Sequence, residues 1–198
     1  MAGDADLLRA AASGDTAAIR RELDAGTPVD ARDDRGRTAL LVATHHDQID
    51  AARLLIEAGA DVNAKDAIED SPYLYAGAEG RLAILKLTLA HGADLAGTNR
   101  YGGTALIPAA ERQSARVVQV LIDAGVALDH VNKLGWTALL EAVLLGDGGP
   151  ERQAVVATLI AAGADVNLAD NDGVTPLGHA RARGYDRIAA MLEQAGGR

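Results

Sequence analysis

The sequence contains no cysteine and no phenylalanine, and only one tryptophan and four tyrosines among 198 residues. Without thiols there is no disulfide, no thiol nucleophile and no thiolate metal site. Aromatic residues make up 3% of the chain and hydrophobic residues 48%, so aliphatic side chains and alanine must build the core. That composition suits small-residue, closely packed helices. Apolar runs long enough to cross a bilayer are missing as well. Positive charge is scarce: 19 Lys and Arg against 28 Asp and Glu leave a net charge of −9. A general grip on nucleic acid or on an anionic membrane is therefore not expected. Met1–Ala10 is acidic and carries no apolar stretch, so no secretory signal is read there. The expectation is a soluble, cytoplasmic, monomeric chain.

What the sequence does have is a period. Thr38, Ser71, Thr104 and Thr137 stand 33 residues apart, and Thr175 follows after 38. Gly26, Gly59, Gly92 and Gly125 keep the same step, and Gly163 shows the same longer jump. Two independent markers shift together, which places five inserted residues, Gly146–Pro150, between them. The period divides the chain into units at about 1–32, 33–65, 66–98, 99–131, 132–169 and 170–198.

Each unit reads as two short helices and a turn. Thr38, Ser71 and Thr175 are N-cap residues whose hydroxyls can accept orphan N–H groups, and Pro72 and Pro176 sit at the first helical position. A second helix carries Ile49, Ala52, Leu54, Leu55 and Ile56 and stops at Gly59, a C-cap glycine. Units three and four repeat that stripe before Gly92 and Gly125. One such pair of helices is too small to bury its apolar faces alone, so stability must come from stacking. The first and last units are rich in charge and read as solubilising caps.

These residues resemble a known family. Thr-Pro-Leu-x-x-Ala at Thr175–Ala180, the near-copies of Ala-Gly-Ala-Asp-Val-Asn (best in Ala58–Asn63 and Ala162–Asn167) and the 33-residue step look like ankyrin repeats. The resemblance covers about Ala5 to Gly196. It implies an all-α solenoid of stacked helix-turn-helix units with short hairpin-like turns, as a single domain over 1–198. One departure is consistent: where the family often has His after Leu, this chain has Leu41, Leu74, Ile107, Leu140 and Gly178.

The resemblance further implies a non-catalytic scaffold that binds a partner protein with its turn tips and the inner face of its first helices. Read by position in the repeat, the expected contacts are Arg35, Arg37, Asp70, Tyr75, Glu79, Arg100, Tyr101, Glu111, Arg112, Lys133, Trp136 and Glu141. Tyr73, Tyr75, Tyr101 and Trp136 are four of the five aromatics and fall in units three to five. Aromatic and Arg side chains are common interface anchors. Tyr73, in the motif's Leu slot, is equally a core filler.

A second reading comes from one first-helix position, four residues past the N-cap, which holds Val42, Tyr75, Pro108, Glu141 and His179. Its neighbours are apolar, so polar groups there need partners. Tyr75, Glu111, Arg112, Glu141 and His179 could line a small-ligand or catalytic pocket under the Gly146–Pro150 loop. A satisfied hydrogen bond is the plainer account. The loop lacks the Gly-Lys-Ser/Thr of a phosphate-binding loop. His45-His46 is the only close His pair, no metal-ligand spacing occurs, and no Ser stands in Gly-x-Ser-x-Gly. No metal, cofactor or catalytic residue is expected.

Overall fold

The computed structural model describes residues 2–112 and 114–198. Twelve helices follow one another: α1 (Ala2–Ser13), α2 (Thr16–Asp24), α3 (Ala39–His45), α4 (Ile49–Glu57), α5 (Pro72–Ala78), α6 (Leu82–Ala90), α7 (Leu106–Arg112), α8 (Ala115–Asp123), α9 (Ala138–Leu144), α10 (Pro150–Ala161), α11 (Pro176–Ala182) and α12 (Asp186–Gln194). They pair as six helix-turn-helix repeats. Among the described residues there is no strand, only an isolated bridge between Arg32 and Thr38.

Local chemistry explains the helix ends. Thr38, Ser71, Thr137 and Thr175 each accept the N–H of the residue three further on through the side-chain oxygen. Thr104 does not: its buried hydroxyl has no hydrogen-bond partner. Pro108 is the cause. It has no N–H to give the Thr104 carbonyl, which instead takes the Ile107 N–H at 3.2 Å, and α7 starts one residue late. Pro108 thereby falls in the first turn, where a missing N–H leaves no gap. At the far ends the glycines at 59, 92, 125 and 163 take φ of 84–94°, which turns the chain out of the helix.

The five inserted residues are divided. α10 has 12 residues where α2, α4, α6, α8 and α12 have 9. Three therefore extend the helix by about one turn, with Pro150 at its first position, and two lengthen the loop before it.

The chain forms two compact units, Met1–Ala76 with Arg81–Arg100, and Gly77–Gly80 with Tyr101–Arg198. In the first, α1 packs on α3, and α4 on α2 and α6. In the second, α7, α9 and α11 stack as one layer and α8, α10 and α12 as another. The alanine column Ala43, Ala76, Ala109, Ala142 and Ala180 is fully buried, since only a small side chain fits where first helices approach closely. Leucine, valine and isoleucine fill most of the rest. Tyr73 is a core side chain, 1% exposed, whose phenol is pushed well up by burial and by Asp94.

The turns before α3, α5, α9 and α11 are each built around one side-chain oxygen. Asp33, Asp66, Asn132 and Asp170 each accept two backbone N–H groups through Oδ1, from the residues two and four further on, at 2.8–3.0 Å. The residue three past that clamp needs positive φ. It is glycine at 36, 102, 135 and 173, but Glu69 in the third repeat, held at φ 65°.

Candidate functional site

Within the second unit, two hairpin tips and two helices gather half of the expected contact residues. The Lys133 N–H donates to the Tyr101 carbonyl at 2.9 Å, joining the tip of the fourth repeat to that of the fifth. His130 Nε2 lies 2.6 Å from the Gly102 carbonyl beside it. On this base Tyr101 is 52% exposed and Leu134 49%. Leu134 stands two residues past the Asn132 clamp, and Tyr101 holds the equivalent position of the fourth repeat. Lys133 is exposed and Trp136 half-buried.

Behind the tip lies a polar cluster. Asn132, 7% exposed, uses Oδ1 to accept the N–H groups of Leu134 and Trp136 and Nδ2 to donate to Glu141 Oε1 at 3.1 Å. Glu141, the fourth residue of α9, is also 7% exposed. Burial and then the nearby Glu111 carboxylate lift its carboxyl to about 7, against the smaller opposing pull of Asn132 and Arg112. Arg112 is shared between Glu79 and Glu111, each at 3.2 Å. Glu79, Glu111, Arg112 and Glu141, expected separately from the repeat register, thus form one group. The cluster can hold or release a proton close to neutral pH.

The loop of the second reading borders an open pocket of about 330 Å³ lined by Glu111, Leu145, Gly146, Asp147, Gly149, Pro150, Glu151 and Arg152. Of the five residues expected there, Glu111 alone lines it. His179 instead bonds Asp170 Oδ2 at 2.6 Å. The Val174 N–H, then His179, hold that Asp170 carboxyl below the ordinary carboxylate range. Tyr75 lies in the first unit, its ring stacked on His45 with centroids 3.9 Å apart. The loop is pinned structurally: Tyr185 donates to the Gly146 carbonyl at 2.8 Å, Gln153 to that of Gly148, and buried Arg152 to that of Ala110.

The first unit treats its candidates differently. Arg35 is exposed at its tip. Arg37 is tied to Asp33 Oδ2 by Nε at 2.8 Å and Nη2 at 2.7 Å. Partial burial opposes the Asp33 charge, but Arg37 and the two clamped N–H groups hold its carboxyl below the usual range. Asp70 and Arg100 come within 3.8 Å of each other. A pocket of about 440 Å³ lies among α1, the Arg32–Arg37 turn and α3.

Sequence reasoning missed Asn132, the hinge of the cluster. The signal was present in the Asx column Asp33, Asp66, Asn99, Asn132 and Asp170, which keeps the period of the caps. Among the described residues no group of three or more His, Cys, Asp or Glu could hold a metal ion, and no helix is long and apolar enough to cross a membrane.

The family described as "Ankyrin repeats (3 copies)" matches residues 4–66, 73–170 and 109–196. The chain is similar to a crystallised ankyrin-repeat domain from Acinetobacter baumannii AYE, 61% identical with a TM-score of 0.94 over 97% of this chain and 98% of that one. It is similar to the ankyrin-repeat protein EF0377, at 43% identity and a TM-score of 0.92 over 96% and 98% of the two chains. Similarity extends to the ankyrin-repeat domain of Bcl-3, a member of the IkappaB family, at 27% identity and a TM-score of 0.88 over 98% and 86%. The putative ankyrin-repeat protein YahD of Escherichia coli K12 is 48% identical over 56 residues, and that match spans 28% of each chain. The chain belongs to the ankyrin-repeat family, whose members generally serve as protein-interaction scaffolds and are typically non-catalytic.

Proposed function

We propose that this ankyrin-repeat chain is a non-catalytic protein-interaction module and that the second unit carries the main contact surface. The observation behind this reading is the pair Tyr101 and Leu134. Both are large and about half exposed, Leu134 on the turn clamped by Asn132 and Tyr101 on the neighbouring tip whose carbonyl accepts the Lys133 N–H. Large apolar side chains on rigid turns present contact area with little ordering left to lose on binding. Around them stand Lys133, Trp136 and the Glu79–Arg112–Glu111 group, which supply both signs of charge for register. Arg35, Arg37, Asp70, Tyr75 and Arg100 in the first unit act as secondary contacts. The partner is a protein, bound by a monomer without cofactor; with a net charge of −9, nucleic acid and anionic membrane are poor partners.

Affinity capture from extract of the native organism, with mass spectrometry, identifies the partner. Its Kd is then measured against the double variant Tyr101→Ala, Trp136→Ala. Weakening of at least about 100-fold with retained helical circular dichroism is expected, since two hot-spot truncations cost roughly 3 kcal/mol or more. Unchanged capture by the folded variant would refute the reading.

A further inference from the structure

We propose that the pocket between α1 and the Arg32–Arg37 turn binds an apolar residue bearing a free α-carboxylate, and that Arg32 grips the carboxylate. The site is built wholly from residues of the first unit and goes beyond the contact surface proposed above.

The pocket holds about 440 Å³, a volume suited to a small ligand. Its floor is apolar. Ala5, Leu8 and Ala12 fall along one face of α1, and Val42 of α3 joins them. Two of the four are alanines, which leaves room for an apolar side chain to lie on that face.

Arg32 supplies the polar wall. Its Nη1 donates to the carbonyls of Gly36 and Lys65, each at 2.6 Å, and its backbone bridges to Thr38. One nitrogen thus pins the guanidinium. Nε and Nη2 form the edge that meets a carboxylate with two parallel bonds, and they have no partner among the described residues. A pinned fork has little rotamer freedom left to lose on binding. The equivalent positions of the later repeats hold Lys65, Thr98, Val131 and Ala169, so the second repeat alone places a guanidinium there.

The remaining charges decide what else the ligand carries. Asp33 is saturated: Oδ1 takes the Arg35 and Arg37 N–H groups, and Oδ2 takes the Arg37 side chain. That pairing neutralises Arg37 as well. Arg9 is paired with Asp6, and Asp4 is also engaged. Left over are Arg32, the exposed imidazole of His46 and the exposed carboxylate of Asp34, which bonds nothing among the described residues. A bare anion would gain from Arg32 and be opposed by Asp34. An apolar amino acid satisfies both, with its carboxylate on Arg32, its ammonium toward Asp34 and its side chain on the floor. The carboxyl end of a peptide shares the carboxylate and the side chain but offers an amide N–H in place of the ammonium.

The full chain is titrated with L-leucine, N-acetyl-L-leucine and L-leucinamide at about pH 7.5, where the imidazole is mostly neutral. Binding is followed in NMR spectra of the backbone amides and the arginine Nε–H groups. Expected are saturable shifts below about 10 mM for the carboxylates, centred on Arg32, α1 and α3, with leucinamide at least about tenfold weaker. Arg32→Lys keeps the charge, loses the fork and weakens leucine binding about tenfold or more. Leucine tighter than N-acetyl-leucine, a difference expected to vanish in Asp34→Asn, identifies the free amino acid. N-acetyl-leucine equally tight or tighter identifies the peptide end, and either result supports the site. No saturable binding of either carboxylate, leucinamide as tight as leucine, or affinity unchanged in Arg32→Lys overturns it. Should Arg32→Lys lose its helical circular dichroism, the comparison of leucine with leucinamide on the wild-type chain decides.

Discussion

The hairpins of the two units share a backbone clamp but differ in what the clamp's second arm holds. In the first unit, Asp33 closes on Arg37 of its own turn, and the tip ends as a self-neutralised ion pair. In the second unit, Asn132 uses its second arm to reach a buried acid on α9, and the tip outside presents Lys133 beside the apolar Leu134. One oxygen fixes the shape of the turn in both. The other polar atom is free to vary, and with it the repeat changes chemistry without changing fold. Asp170 with His179 is a third choice in the same register.

The two units share an apolar core position. Leu41 and Leu140 occupy the same position of their repeats and are both 0% exposed. Leu41→Ala and Leu140→Ala are each expected to cost ~2–5 kcal/mol in urea denaturation. Costs that differ by more than about 2 kcal/mol would show that the repeats are not equivalent in their cores.

The two clamps respond to pH in opposite directions. The folded Glu141 carboxyl, at about 7, lies above its ordinary 4.5, so the folded chain binds the extra proton between those values. Stability from this group is full below about 4.5 and is lost as pH rises through about 7. Glu141→Gln is therefore expected to gain ~2 kcal/mol at pH 8 and nothing at pH 4. Asp33 runs the other way. Its folded carboxyl is lowered, so its contribution is present above the ordinary carboxylate range and fades as pH falls. Asp33→Asn should cost about 1 kcal/mol at pH 7 and less in acid. Thermal unfolding of the two variants across pH reads both slopes, and slopes of the same sign would be inconsistent with the contrast.

The smallest effect concerns the caps. Thr38→Val removes a bonded N-cap and should cost about 1 kcal/mol. Thr104→Val removes a hydroxyl that bonds nothing and should stay within ~0.5 kcal/mol of wild type. Equal losses would mean that Thr104 does cap a helix.

Much of the fold was legible because its signals are local. A cap threonine, a C-terminal glycine and an apolar stripe each act within a few residues, and their 33-residue recurrence made the stacking plain. The site was legible only in part. The polar groups four past the cap were noticed, yet their partners Asn132 and Asp170 sit nine residues earlier across a turn, a spacing with no helical or strand meaning. Thr104 shows the opposite failure, a cap residue silenced by a proline four positions on. The grouping of Glu79 with Arg112 needed the repeats to be folded together, since those residues stand 33 apart.

The lengthened fifth repeat has a practical meaning. α10 took up an additional turn and its loop two further residues, while Gly163 and the α11 cap kept their places in the pattern. The Asp147–Gly149 segment is thus a natural cloning port: a peptide tag or sensor grafted there would be displayed on a support that has already adapted to extra chain.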